Sequence, residues 1–233
     1  MLNPVILKSV MFQKRRIRRA HARFLRACRS LKDGRDRWDA TPSWARRLVD
    51  CLVPGSLLAL GEEGRPLLQA LDWLEEHCRE ATLGEEALRQ YHRLALEGRI
   101  ARPGVYRTEP VTIVGSQDQP PGPARVASLM KQWDLDVAEA QRTLDAGDAG
   151  DREKLLRASL ETYRKLGWIH PFPDGNGRVA RLAMNHLLRR YGAGYVILPP
   201  ISEAPDLLEA LTQAHRGNLE LLARTARKNW ILV

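Results

Sequence analysis

The chain has 233 residues, 44% hydrophobic and 28% charged, and 37 Lys and Arg against 28 Asp and Glu give a formal net charge of +9. That is enough chain for one sizeable core with an extension, and an isoelectric point near 9.9 favours acidic partners such as nucleotides or acidic protein surfaces. The lack of any apolar run of about 18 residues argues against a transmembrane helix, and three scattered cysteines, Cys28, Cys51 and Cys78, argue against a disulfide framework or a zinc site.

At the N-terminus, MLNPVILKSVMFQKRRIRR puts its apolar part before its charges, the reverse of a secretory signal. A cytosolic, reducing location is therefore expected. The next segment, KRRIRRAHARFLRACRSL, reads as a basic helix. Ile17, Phe24, Cys28 and Leu31 fall on one stripe, and Arg15, Arg19, Arg23, Arg26 and Lys32 lie mostly off it. Such a helix can be a solvated face, a nucleic-acid contact or a docking helix for an acidic partner. No interleaved aromatics or base-reading motif favour nucleic acid.

After a turn-rich passage, PLLQALDWLEEHC and GEEALRQYHRLALEG predict two helices, the second capped by Gly98. Val105–Tyr106 and then the alternation over Val111, Thr112, Ile113 and Val114 predict a short hairpin. A Pro/Gly-rich break follows, then a helix from about 125, and further helices over roughly 151–167, 178–191 and 203–228. The expected fold is mainly α with one β-hairpin. The expected organisation is a basic helical extension with a regulatory role over 1–65, a catalytic core over 66–200, and C-terminal helices packing on that core over 201–233.

The stretch richest in chemistry is HPFPDGNGRVAR, His170 to Arg181. It joins two helical patterns, so its residues reach the N-terminus of the second helix. Free backbone N–H groups and the positive end of the helix dipole make an anion site there. Gly175 and Gly177 let the backbone approach phosphate oxygens, and Asn176 can turn left-handed or donate through its amide. Arg178 and Arg181, three apart, share a helix face and can both reach a polyphosphate. His170 is a candidate general base, Asp174 a candidate Mg²⁺ ligand beside the phosphates, and Phe172 a core residue that pins the loop.

HPFPDGNGRVAR resembles the signature of the Fic domain family, H-x-F-x-(D/E)-G-N-G-R-x-x-R, at every specified position. GVYRTEPVTIVGSQDQPPG is similar to that family's target-binding flap, and EEALRQYHRLALEG to the helix before it. The resemblance covers roughly residues 82–200. It implies a mostly helical bundle and an enzyme that moves AMP from ATP onto a Tyr, Thr or Ser hydroxyl of a target protein. On that resemblance His170 deprotonates the hydroxyl and Asp174 holds Mg²⁺ between the α- and β-phosphates. The Gly175–Asn176–Gly177 backbone stabilises charge at the α-phosphate, and Arg178 and Arg181 take the β- and γ-phosphates. The flap around Val111, Thr112, Ile113 and Val114 holds the target backbone as an added strand.

The family's inhibitory motif, (S/T)-x-x-x-E-(G/N), has no strict match. SLLALG, from Ser56, has Leu60 at the glutamate position, ALGEEG starts on Ala59 instead of Ser or Thr, and TQAHRG places Arg216 there. The chain is therefore unrestrained, restrained by a separate antitoxin-like protein, or restrained by Glu62 or Glu63 in altered geometry. Other chemistries on the same scaffold are transfer of UMP, phosphocholine or phosphate, and removal of AMP. A basic binding protein with an idle site is the alternative from another class. Action in its own cell or delivery into another both stay open.

Overall fold

A computed structural model of the chain describes residues 65–113, 119–147, 150–198 and 204–231. Seven α-helices stand among them: α1 (Arg65–His77), α2 (Glu85–Ala95), α3 (Val126–Asp145, led in by a 3₁₀ turn at Pro123–Arg125), α4 (Arg152–Ile169), α5 (Asn176–Arg190), α6 (Pro205–His215) and α7 (Glu220–Lys228). Two strands, β1 (Tyr195–Val196) and β2 (Trp230–Ile231), pair antiparallel with Tyr195 opposite Ile231. The basic segment 14–31 lies outside the described residues.

Local chemistry sets the helix boundaries. α2 carries Glu85 and Glu86 in its first turn and His92 and Arg93 in its last, the arrangement its dipole favours. Its N-terminus has no cap of its own, and Asp134 of α3 supplies one by accepting from the Glu85 N–H at 2.7 Å. Asp151 caps α4, its carboxylate accepting from the N–H groups of Glu153 and Lys154. The predicted 203–228 helix is two helices, because Gly217 takes φ +93° and breaks the run between α6 and α7.

α5 is the axis of the molecule. Val179, Ala180, Leu182, Ala183, Met184, Leu187 and Leu188 are all buried, and so are its polar Asn176, Arg181, Asn185, His186 and Arg189, so the helix is wrapped by its neighbours on nearly every side. α4 packs along it as the other arm of a helical hairpin, and α1 and α2 close the far side. α1 buries Leu67, Ala70, Leu71 and Leu74, one stripe at helical spacing. Gln141 of α3 clips the α1–α2 loop, accepting from the Leu83 N–H and donating to the Leu83 carbonyl, both at 2.8 Å. The C-terminal helices are held by the β1–β2 ladder, by Ile197 N–H donating to the Asn229 carbonyl at 3.0 Å, and by the Trp230 indole N–H on the Ala193 carbonyl at 2.7 Å.

Residues 105–113, where the alternation predicts strand, are described as irregular backbone without ladder partners. The strand pair among the described residues instead joins the end of α5 to the C-terminus of the chain. The alternation is still visible as burial, with Val111 and Ile113 half-buried and Thr112 exposed between them. Pairing that would satisfy such a segment's backbone groups has to come from elsewhere.

Candidate active site

The α4–α5 turn is built so that a histidine, not a glycine, ends α4. His170 sits at φ 49°, ψ 58°, the one non-glycine residue with positive φ among the described residues. That conformation costs a side chain on the order of 1 kcal/mol, so surrounding contacts must hold it. The His170 N–H closes α4 on the Leu166 carbonyl, and its Nδ1 lies 3.1 Å from the Gly167 carbonyl oxygen. A carbonyl only accepts, so Nδ1 carries the proton and Nε2 keeps a lone pair. Burial lowers the ring's pKa below its ordinary value and the Arg107 cation lowers it further, against the opposing pull of the Gly167 carbonyl and Asp174. The ring is neutral and can accept a proton at neutral pH.

Across the turn the backbone is pinned by side chains. Asn176, only 4% exposed, accepts from the Phe172 N–H and donates to the Phe172 carbonyl, both at 2.8 Å. Its amide therefore shapes the loop and faces inward, so what Asn176 offers a phosphate is its backbone. Phe172 is fully buried, its ring stacked on His92 at 3.8 Å and tilted against Tyr106 at 5.3 Å. Gly175 takes φ +75°, and a Cβ there would stand 2.5 Å from Leu96 Cδ2. Conformation and space both demand glycine at that position.

The first turn of α5 is where charge gathers. The first intrahelical bond runs from the Val179 N–H to the Gly175 carbonyl at 3.0 Å, so the N–H groups of Asn176 and Gly177 precede it and point out of the helix end. Arg181 is buried at 5% exposure, and its Nη1 lies 3.5 Å from where a Cβ on Gly177 would be. The guanidinium therefore lies against the first turn of α5. Arg178 reaches the carboxylate of the more exposed Asp174 at 3.2 Å, whose other oxygen accepts from the Gly175 N–H. Two cations, backbone donors and one carboxylate thus gather at one helix end, next to a histidine with an accepting ring nitrogen.

Of the sequence candidates, His170, Phe172, Asp174, Gly175, Asn176, Gly177, Arg178 and Arg181 come together in this turn. Val114, Glu62 and Glu63 lie outside the described residues. Further along α5, Asn185 and Leu188 are committed to the core. Asn185 exchanges two hydrogen bonds with Val196, at 2.8 and 3.1 Å, and Leu188 is fully buried.

Two residues that sequence reasoning passed over position the turn. His92 of α2 accepts from the Gly104 N–H at Nδ1 (2.7 Å) and donates from Nε2 to the Asp174 carbonyl (3.0 Å). Arg107 reaches carbonyls on both the turn and the flap. Their partners on the turn are 82 and 63 positions away in sequence, so only the folded chain shows them.

Two buried rings also set the acid limit of the fold. His92 is pushed down to about 4, first by burial, and His186 likewise, its Nδ1 accepting from the Tyr91 hydroxyl at 2.7 Å. In the unfolded chain both titrate near 6.5, so between those values the unfolded state binds more protons and stability falls as pH falls. The expected loss by about pH 4 is on the order of 3 kcal/mol per ring. Thermal melts between about pH 7 and pH 4.5 check it, and an unchanged midpoint would contradict it.

Residues 82–188 match the family model described as the Fic/DOC family. The protein adenylyltransferase Fic of Drosophila ananassae is 40% identical over 121 residues, covering 52% of this chain and 22% of the relative. That of Drosophila melanogaster is 40% identical over 105 residues, covering 45% and 20%. The chain thus spans about a fifth of the length of these relatives. Among solved structures, Fic-1 from C. elegans superposes with a TM-score of 0.58 at 21% identity, covering 89% of this chain and 68% of that one. A Fic domain containing signaling protein from Bacteroides thetaiotaomicron gives 0.57 at 20% identity, covering 91% and 88%. The helical hairpin, the turn it carries and these similarities agree: residues 82–188 are similar to the Fic/DOC family in sequence, and the chain is similar to Fic structures in fold.

Proposed function

We propose that this protein is a protein adenylyltransferase that moves AMP from ATP to a Tyr, Thr or Ser hydroxyl of a target protein and releases pyrophosphate. The observation that carries the reading is the 3.1 Å contact of His170 Nδ1 with the Gly167 carbonyl, which makes Nδ1 the donor and leaves Nε2 an acceptor beside a helix N-terminus. The similarity to proteins named protein adenylyltransferase Fic supports the choice of nucleotide.

The chain's own groups divide the work. His170 Nε2 takes the proton of the target hydroxyl as its oxygen attacks the α-phosphorus. The bond from the α-phosphorus to the bridging oxygen breaks, and pyrophosphate leaves with that electron pair. The backbone donors at the start of α5 meet the charge that develops on the α-phosphate oxygens. Arg178 and Arg181 hold the leaving phosphates. In-line transfer of this kind depends on positioning and electrostatic stabilisation more than on covalent help. The half-buried edge at Val111–Ile113 offers backbone groups to an extended target segment.

Asp174 fits a Mg²⁺ ligand. No group of three His, Cys, Asp or Glu able to hold a metal exists among the described residues, but Mg²⁺ is commonly held by one or two carboxylates together with substrate phosphates. Bound there, the ion would neutralise phosphate charge. Restraint through Glu62 or Glu63, or through a separate inhibitory protein, is part of the same reading and concerns residues outside those described. No helix among the described residues is long and apolar enough to cross a membrane. The buried free thiol of Cys78 supports a reducing, cytosolic setting.

The test is incubation with a cell lysate, Mg²⁺ and ATP labelled in either the α- or the γ-phosphate. Protein-bound label from α-labelled ATP alone is the expected result; label from the γ-position would replace adenylyl by phosphoryl transfer. Asp174→Ala should raise the Mg²⁺ concentration for half-maximal transfer by about tenfold or more. An unchanged metal titration would remove its role as ligand.

A further inference from the structure

The turn that carries His170 is gripped from outside by one buried side chain. Arg107 is 4% exposed and directs its guanidinium at main-chain oxygens. Nε donates to the His170 carbonyl at 2.7 Å and Nη2 to the Ile169 carbonyl at 3.4 Å. Nη2 also donates to the Pro121 carbonyl and Nη1 to the Glu109 carbonyl at 3.1 Å. Its own N–H donates to the Pro171 carbonyl at 2.9 Å.

The choice of oxygens matters. The Ile169 carbonyl belongs to the peptide plane before the His170 α-carbon, and the His170 carbonyl to the plane after it. Two planes held from one rigid fork fix the φ and ψ between them, which here are the left-handed values at His170. The remaining oxygens, on Glu109 and Pro121, stand at the two ends of the flap. We propose that Arg107 is the positioning residue of the general base. By holding both peptide planes that flank His170 it aims the imidazole, and by holding Glu109 and Pro121 it ties that aim to the two ends of the flap.

A cation that merely complements the carbonyl end of α4 could be a lysine, because that interaction needs charge and not shape. The double grip needs the planar fork. Arg107→Lys therefore separates the two roles, and Arg107→Gln removes the charge as well. The charged groups facing the His170 ring are Arg107 from the flap root and Asp174 from the turn, with the Gly167 carbonyl on Nδ1. Loss of the cation then moves the ring's pKa upward.

The proposal rests on the adenylyl-transfer reading for its kinetic arm only. The full chain, as wild type and both variants, is examined by thermal melting, by ¹⁵N and ¹³C NMR titration of the His170 ring, and by AMP transfer from α-labelled ATP. Arg107→Lys is expected to melt cooperatively and to change the KM for ATP by less than about threefold, while kcat falls by about tenfold or more. Its His170 signals should lose the single Nδ1-protonated pattern, and Arg107→Gln should also raise the ring's pKa. Wild-type kcat and ring signals in Arg107→Lys would overturn the proposal, as would an effect confined to KM. Loss of cooperative melting in both variants would make Arg107 a fold-holding group and also overturn it. If the wild type transfers no AMP while the variants still change the ring signals, the functional reading fails and the positioning role stands.

Discussion

His170→Ala should reduce AMP transfer by roughly 10²–10⁴-fold, the usual contribution of a positioned general base, and leave ATP binding intact. The site separates those functions spatially. The imidazole projects from the end of α4, and the groups proposed to bind phosphate, the α5 backbone and the two arginines, belong to the next helix. Alanine is less at ease than histidine at a left-handed position, so His170→Asn serves as the companion variant, because asparagine tolerates that backbone and cannot act as the base. Transfer is measured with α-labelled ATP and binding by titration calorimetry. If both variants lose nucleotide binding along with transfer, His170 has a folding role and the assignment as base is wrong.

The largest expected loss of stability lies far from the chemistry. Glu75 of α1 and Arg189 of α5 form a bidentate pair, both bonds 2.8 Å, with side chains 1% and 4% exposed. The Tyr195 hydroxyl donates to the same carboxylate, its pKa driven up first by burial and then by the Glu75 charge. Burial works against the Arg189 charge, but Tyr195 and Glu75 outweigh it and push its pKa up. Glu75→Ala leaves that cation buried alone, at a cost of about 3–5 kcal/mol. For a chain of this size that is a fall of roughly 10–15 °C in melting temperature. Replacing both partners, as in Glu75→Ala with Arg189→Met, should recover much of it, because a buried pair exchanged for apolar residues is often tolerated. A single variant that melts within a degree or two of wild type would show that solvent reaches the cation.

What the sequence disclosed follows from the range of each interaction. Periodicity located α1 to α5 within a few residues, because a helix is stabilised by neighbours three and four positions away. The end of α4 escaped it. Gly167 is the obvious terminator, yet the helix runs on to Ile169 and the left-handed residue is His170, held there by a fork from position 107. The split of the 203–228 helix was announced by Gly217–Asn218 and was overridden by the apolar spacing on either side. β1 and β2 are two residues each and pair across more than 30 positions, too short and too distant for any pattern. The chemistry of 170–181 was legible because one short turn carries it. The grip of His92 and Arg107 was not, since each is an ordinary residue until a distant carbonyl folds against it.

The Glu75–Arg189 pair has a further implication for where this protein begins and ends as a physical object. Its two members flank the Fic-like stretch, one seven residues before position 82 and one immediately after position 188. Both strands of the β1–β2 ladder lie beyond position 188. Contacts that close the core are thus made by residues that lie outside the span of the family match. The family match marks out the segment that carries the signature, whereas the thermodynamic unit is larger and is fastened by parts that lie outside that match. Divergence in those flanking parts can retune the rigidity of the catalytic turn without altering a residue of the signature.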